Sequence, residues 1–171
     1  MTVIIRTATA KDAEAIALLS RETFYETFAR YNTEEDMDKF MHEQFSKELL
    51  MAEVGTDENI FLAAFAENEL LGYTKMKESK NPPALGNAKA IEIARIYTSQ
   101  KTIGKGIGKA LMQKAIDTAK ELQKEIIWLG VWEHNAHAIE FYKKWGFEKF
   151  AEHDFVLGND VQTDWLMKKI F

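Results

Sequence analysis

Apolar positions recur along this chain with two different periods, and the switches between them mark out its elements. Val3 to Ala8 is a short apolar run that reads as a strand. Ile16, Leu18, Leu19, Phe24 and Phe28 then share one helical face between Thr9 or Lys11 and about Ala29. Thr33-Glu34-Glu35-Asp36 has the form of a capping box with Asp in the Glu place, and it predicts a second helix through Met37, Phe40, Met41 and Phe45. Ser46 is suited to cap a short third helix. Ile60 to Phe65 and Leu70 to Met76 are strands on either side of Ala66-Glu67-Asn68-Glu69, a hairpin signal. Pro82 and Pro83, with Gly86-Asn87, then mark a loop. Beyond it the pattern alternates: strand 89–98, helix from about 106 to 123, strand 126–131, helix 135–145, and two further strands, 147–156 and 161–171. A helix following a strand twice implies a sheet with at least one parallel pair, so the chain is α/β with a meander in its middle.

The 171 residues are 46% hydrophobic, enough for one buried core and short for two, so a single domain over 1–171 is expected. No run approaches the roughly 18 apolar residues of a membrane span, and Met1-Thr2-Val3-Ile4-Ile5-Arg6 does not read as a signal peptide. A cytoplasmic protein without a membrane partner is the expectation. The chain has no cysteine, which excludes disulfides, thiolate metal sites and a cysteinyl acyl-enzyme. His42, His134, His137 and His153 show no compact ligand spacing, so no metal is expected, and His134 with His137 reads as exposed polarity near a helix start. The net charge of −5 points away from nucleic acid and is compatible with a cationic substrate.

The strand ending Ile93-Ala94-Arg95-Ile96-Tyr97-Thr98 leads into Gly104-Lys105-Gly106-Ile107-Gly108-Lys109 and then into a helix beginning Ala110-Leu111-Met112. Glycines at alternate positions remove Cβ atoms where backbone amides could close on an anion, and the positive end of the helix dipole faces the same place. Such a loop suits phosphates. A mononucleotide P-loop would need Gly where Ile103 stands and Ser or Thr at Ala110, and the dinucleotide G-x-G-x-x-G would need Gly at Lys109 or Leu111. A pyrophosphate carrier of another kind is favoured, coenzyme A foremost. A plain strand-to-helix turn needs fewer glycines.

Ile126 to Val131 is a buried strand ending in Trp132-Glu133-His134-Asn135, with Asn135 at an N-cap position and Ala138, Phe141-Tyr142 and Gly146-Phe147 after it. The glycine loop after Ile-Tyr, followed by Asn-x-x-Ala-x-x-Phe-Tyr-x-x-x-Gly-Phe, resembles the GCN5-related N-acetyltransferase superfamily. Glu92-Ile93, Arg95-Ile96-Tyr97, Ile127 to Glu133, Asn135, Phe141 to Lys144 and Gln162-Thr163-Asp164 are similar to the bacterial Pai-type spermidine/spermine acetyltransferases, and so is Glu22-Thr23-Phe24. The resemblance runs nearly end to end. It implies a mixed central sheet of about seven strands flanked by helices, with a splayed parallel pair that holds acetyl-CoA as cosubstrate. The superfamily's usual Arg or Gln is replaced by Ile103, a loss that leaves every backbone donor in place.

The roles the resemblance implies fall on particular residues. Ile96, Tyr97 and Thr98 would bind the pantetheine arm along their main chain, and Gly104, Lys105, Gly106, Gly108 and Lys109 the pyrophosphate, with Asn135 contacting either. Asn135 is also explained by N-capping alone. Tyr142 is the expected general acid toward the departing thiolate, the alternative being an aromatic packed beside Phe141. Glu92 is the leading general base: its even parity with Ala94 and Ile96 sets it on one face of the strand, while Arg95 alternates to the other and is expected to pair with an acidic group. The acceptor, expected to be a small amine and specifically a polyamine, would meet Glu22, Glu26 and Tyr31, with Tyr25, Asp154 and Asp164 as further candidates. Another small amine or a protein N-terminus is the alternative acceptor, and an acyl-CoA sensor that no longer catalyses is the reading from outside enzymology. A monomer and a homodimer are both compatible with the sequence.

Overall fold

The computed structural model describes residues 1–171. Five α-helices, α1 (Ala13–Phe28), α2 (Glu34–Glu43), α3 (Lys47–Ala52), α4 (Ile107–Glu121) and α5 (Ala136–Lys144), flank seven strands. The strands are β1 (Ile4–Thr7), β2 (Asn59–Ala66), β3 (Glu69–Lys77), β4 (Ala90–Thr98), β5 (Ile126–Trp132), β6 (Glu148–Leu157) and β7 (Asp160–Ile170). They form one sheet in the order β1-β2-β3-β4-β5-β7-β6, in which β4 and β5 are parallel and every other neighbouring pair is antiparallel. No helix is long and apolar enough to cross a membrane.

Local chemistry sets most boundaries. Glu67 and Asn68 both take positive φ, 50° and 69°, so a tight turn joins β2 to β3 with the twist that suits flanking strands. Ser46 and Asn135 cap α3 and α5, their side-chain oxygens accepting from the Leu49 and Ala138 amides. The expected capping box at α2 is only half present. Thr33 Oγ1 accepts from the Asp36 amide at 3.1 Å, but the Asp36 carboxylate turns away to accept from the Asn159 amide at 2.8 Å and ties the β6–β7 turn to α2.

Two apolar layers sandwich the sheet. On one face Leu62, Met76, Ile91, Ile93, Leu129 and Val131 pack with Met112, Ala115 and Ile116 of α4 and with Ile139 and Tyr142 of α5. On the other, Ala13, Ile16 and Leu19 of α1 cover Phe61, Ala63 and Tyr73. Farther along, Phe24, Phe40 and Phe45 stack where α1, α2 and the α2–α3 connection meet. Each fully buried ring of this size contributes roughly 1.5–3 kcal/mol through removal from water.

The β4–β5 pair departs from regularity in a way that matters. Its register runs Ala90↔Ile126, Ile91↔Ile127, Glu92↔Trp128 and Ile93↔Leu129, and there it stops. Beyond that point β4 stays with β3 as far as Thr98↔Gly72, and β5 stays with β7 as far as Trp132↔Asp164. A bulge accompanies the parting: Lys75 opposes Arg95 while Met76 opposes Ile93, leaving Ala94 as the extra residue.

Gly72 stands behind this opening. A Cβ there would lie 2.7 Å from Tyr97 O, 3.1 Å from Thr98 Cγ2 and 3.2 Å from Leu111 Cδ1. Gly72→Ala is expected to force β3, β4 and α4 apart, costing about 1–3 kcal/mol as an overpacked core position does. A melt followed by circular dichroism should fall by several degrees; an unchanged midpoint would mean that Gly72 is replaceable.

Candidate active site

Where β4 and β5 part, a cavity of about 690 Å³ opens between them. Its walls are the divergent strand ends, Ile93 to Thr98 and Leu129 to Trp132, with Thr23, Glu26 and Thr27 of α1 and Arg30 just after it on one side, and the N-cap Asn135 with His137, Ala138 and Tyr142 of α5 on the other. Phe24, Phe28, Gln100, Ile103, Phe155 and Asp164 complete the lining. The β4 edge that faces this gap has lost its strand partner, so its main chain can accept an extended ligand.

The glycine loop lies between β4 and α4. Gly104 and Gly106 have φ of +80° and +81°, and a Cβ on either would meet no protein atom within 4 Å. The space beside them is open. Lys105 N donates to Thr102 O at 3.0 Å, whereas the amides of Gly104, Gly106, Gly108 and Lys109 reach no backbone acceptor. This corrects the expectation for Lys105: its amide closes the turn, and only its side chain remains for an anion. The four free amides at the start of α4 form an anion-binding concavity, with the helix dipole adding to it.

Tyr142 is 9% exposed and packs with Leu129, Val131 and Phe147, so the core reading and the site reading both describe it. Its hydroxyl makes no hydrogen bond to protein yet is not sealed from solvent, which leaves it at the cavity surface. Burial pushes its pKa up, and the phenol is therefore a proton carrier at neutral pH. Asn135 combines its two expected roles. Its Oδ1 caps α5, and its Nδ2 has no protein partner in the cavity wall.

Glu92 is not at the site. Its carboxylate accepts from Ser79 Oγ at 2.5 Å and lies 3.9 Å from Lys77 Nζ, outside the cavity lining. The expected parity also fails. Lys77 reaches Glu92 from the same face of β3 on which Lys75 joins Arg95 at Glu53, so Glu92 and Arg95 share a face. The Ala94 bulge shifts the alternation by one residue, and nothing in a strictly alternating pattern could have shown it.

Of the acceptor candidates, Glu26 and Asp164 line the cavity, while Glu22, Tyr25 and Asp154 do not. Tyr31 lies just beyond it, edge-on to Trp132 at 5.1 Å between ring centroids, and lines a second hollow of about 310 Å³ with Asp36 and Asp160. Burial raises the Asp164 pKa, opposed by the imidazole of His153 at 3.5 Å. Arg30, Gln100, Trp132 and His137 also line the cavity and were given no role on sequence grounds. For Trp132 the signal is its place in the segment similar to the Pai-type enzymes, whereas His137 falls on an unspecified position of the pattern.

Arg95 does pair with an acid, as its place in an apolar strand suggests. Its guanidinium donates twice to Glu53, at 2.8 and 3.0 Å, and Lys75 Nζ lies 3.2 Å from the same carboxylate. Burial alone would raise the Glu53 pKa, but the Arg95 hydrogen bonds and charge, with Lys75 behind them, hold it below the usual carboxylate value. The adjacent Tyr73 hydroxyl meets Ser20 Oγ at 2.5 Å.

Comparison with known proteins agrees with this geometry. The family model for the acetyltransferase (GNAT) family matches residues 21–147. An uncharacterized N-acetyltransferase in the pepI 3' region of Lactobacillus delbrueckii subsp. lactis is 38% identical over 159 residues, which is 93% of this chain and 92% of that protein. A spermidine N(1)-acetyltransferase of Thermoplasma acidophilum is 27% identical over 173 residues, 99% of this chain and 98% of that one. The crystal structure of PaiA N-acetyltransferase from Thermoplasma acidophilum in complex with coenzyme A superposes with a TM-score of 0.77 at 27% identity over the whole of both chains. The chain belongs to the acetyltransferase (GNAT) family. It is an N-acetyltransferase with that family's mixed seven-stranded sheet.

Glu53→Gln should remove the charge that compensates Arg95 and Lys75, destabilising the protein by an amount at or below the roughly 3–5 kcal/mol of a fully buried pair, since Glu53 is partly exposed. The folded pKa is depressed, so the wild-type advantage is complete above the unfolded value near 4.3 and fades as pH falls through the folded one. Urea unfolding at neutral pH and in acid should show a gap between variant and wild type that narrows in acid; a pH-independent gap would contradict the ion-pair account.

Proposed function

We propose that this enzyme transfers the acetyl group of acetyl-CoA directly to a primary amine, and that the amine is a polyamine such as spermidine or spermine. The observation that carries the reading is the gap between β4 and β5, with free amides at the loop beside it and a buried phenol and two carboxylates around it. Acetyl-CoA, when bound, supplies an acetyl group activated as a thioester. Main-chain groups of Ile96 to Thr98 suit its pantetheine arm, and the amides of Gly104, Gly106, Gly108 and Lys109 suit its pyrophosphate, joined by the charges of Lys105 and Lys109. Asn135 Nδ2 adds a donor. The absence of cysteine leaves no thiol to carry the acetyl group, so both substrates occupy the site together.

Tyr142 is the proton donor to the departing sulfur. A thiolate leaving group has a pKa near 8.5, and a phenol kept protonated by burial can hydrogen-bond to it and supply the proton. Glu26 and Asp164 attract the acceptor's ammonium groups. Tyr31, which touches Trp132 of the cavity wall, also lines the second hollow, whose Asp36 and Asp160 suit a longer chain. The 27% identical spermidine acetyltransferase supports the same acceptor class. A single-charge amine is the second reading, favoured by Arg30 and Arg95, which line the cavity beside only those two carboxylates.

Tyr142→Phe is expected to lower kcat by roughly a hundredfold or more while leaving the affinity for acetyl-CoA unchanged by calorimetry. Glu92→Gln should keep kcat within about threefold, because its carboxylate lies outside the cavity. The reverse ranking would restore Glu92 as the base and make Tyr142 a packing residue.

The acceptor is tested by following free CoA release with spermidine, spermine and n-butylamine at low and high salt. A polyamine enzyme should prefer the first two, with a KM for polyamine that rises with ionic strength more than that for acetyl-CoA. Equal efficiency with n-butylamine would reject the polyamine and keep the transfer.

A further inference from the structure

Deprotonation of the acceptor has no agent in the arrangement above, since Glu92 lies elsewhere. A primary ammonium with a pKa of about 10 has no lone pair with which to attack a thioester carbonyl. The base must stand in the cavity, close to the point where the strands part. Gly130 marks that point, being the first residue of β5 beyond the last β4 pair at Leu129. Leu129 and Val131 turn toward α5 and pack with Tyr142, so Gly130 presents its bare Cα to the opposite face. A Cβ at Gly130 would lie 3.6 Å from Asp164 Oδ2 and 3.8 Å from His153 Nε2. The missing side chain leaves room for a small group between the carboxylate and the gap.

Asp164 and His153 are direct cross-strand partners on β7 and β6, with Nε2 and Oδ2 3.5 Å apart. Their exposures differ: the Asp164 side chain is 16% accessible and lines the cavity, whereas His153 is 50% accessible and lies toward solvent. The other cavity carboxylate, Glu26, is exposed on α1. One carboxylate is therefore sheltered, beside the gap, and backed by an imidazole open to water.

The geometry points to Asp164 as the general base for the acceptor ammonium, with His153 as the positioning residue that holds the carboxylate and passes its proton to solvent. The assignment rests on the acetyl-transfer reading. Asp164 takes one proton from the ammonium, and His153 returns it to water. The freed lone pair forms the N–C bond at the thioester carbonyl, and collapse breaks the C–S bond with its electron pair on sulfur. Tyr142 protonates that sulfur, and the second proton shed by nitrogen restores the phenol by way of solvent. One proton is released per acetyl group transferred. Burial raises the Asp164 pKa and so makes the carboxylate a better base than an exposed one, though the imidazole partly opposes the shift. Glu26 of α1 and Arg30 just beyond it, Arg95 and Tyr97 of β4, and His137 and Tyr142 of α5 line the same cavity and complete its titrating and charged surroundings.

The test is the pH profile of kcat/KM by CoA release, with whichever of spermidine and n-butylamine turns over faster. Asp164→Asn should lower kcat/KM at neutral pH by roughly a hundredfold or more and replace the acid limb by a steady rise toward the pKa of the amine itself. His153→Gln should keep the acid limb but move it to higher pH, because an opposing imidazole is gone. One readout separates the role from misfolding: the calorimetric affinity of Asp164→Asn for acetyl-CoA should stay unchanged. A raised KM with unchanged kcat would make Asp164 an anchor for the ammonium and overturn the base. An unchanged acid limb would also overturn it. No turnover by the wild type with any amine would overturn acetyl transfer itself, and the base with it.

Discussion

Parallel pairing between β4 and β5 holds for four residues and then fails, and the rest of the site follows from that failure. Each strand keeps its antiparallel neighbour, so β4 is drawn along β3 and β5 along β7 until a wedge opens between them. Both strands thereby expose main-chain edges in the interior of a sheet, where unpaired donors and acceptors are costly unless something pairs with them. The Ala94 bulge is the local device that permits the turn away. Gly72 behind β4 and Gly130 on β5 supply the clearance on either side of the wedge.

Holding a bulged strand beside a cavity requires other contacts to fix it. Arg95, immediately after the bulge, is locked by two hydrogen bonds to Glu53 on the α3–β2 connection, and Lys75 on β3 shares that carboxylate. Arg95 also lies over the Phe45 ring, its guanidinium carbon 5.1 Å from the centroid. A cluster of two cations and one anion in a half-buried place is a weak source of net stability, but it gives β4 one position relative to α3. The positive charge on that side of the sheet is therefore partly compensated from beneath. An acceptor entering the cavity meets a lining close to balance, and the individual placement of Glu26, Asp164 and Arg30 matters more than overall charge.

The glycine loop and α5 could be read directly because their chemistry is local. Alternate glycines dictate positive φ at Gly104 and Gly106, and an Asn followed by helical apolar spacing dictates the cap of α5, whatever the rest of the chain does. The same holds for the β2–β3 turn and for the Ser46 cap. Glu92 shows where local reading stops. Its assignment assumed uninterrupted alternation, and a bulge is decided by how three strands share hydrogen bonds, not by residue type at one position. The half-formed box at α2 is similar: Asp36 has a local partner available but bonds the Asn159 amide, 123 residues away.

The sequence by itself determined the order of elements, the apolar faces, the phosphate-ready loop and the family, because periodicity, capping and glycine content act over a few residues. Tertiary structure alone decided which carboxylates reach the cavity. Asp164, His153 and Gly130 lie on three different strands, and they meet only through the β5–β7–β6 pairing. Asp164 ranked with several exposed acids in the linear chain. Its raised pKa comes from burial that only the assembled sheet produces, since desolvation depends on what packs around a group and not on its sequence neighbours.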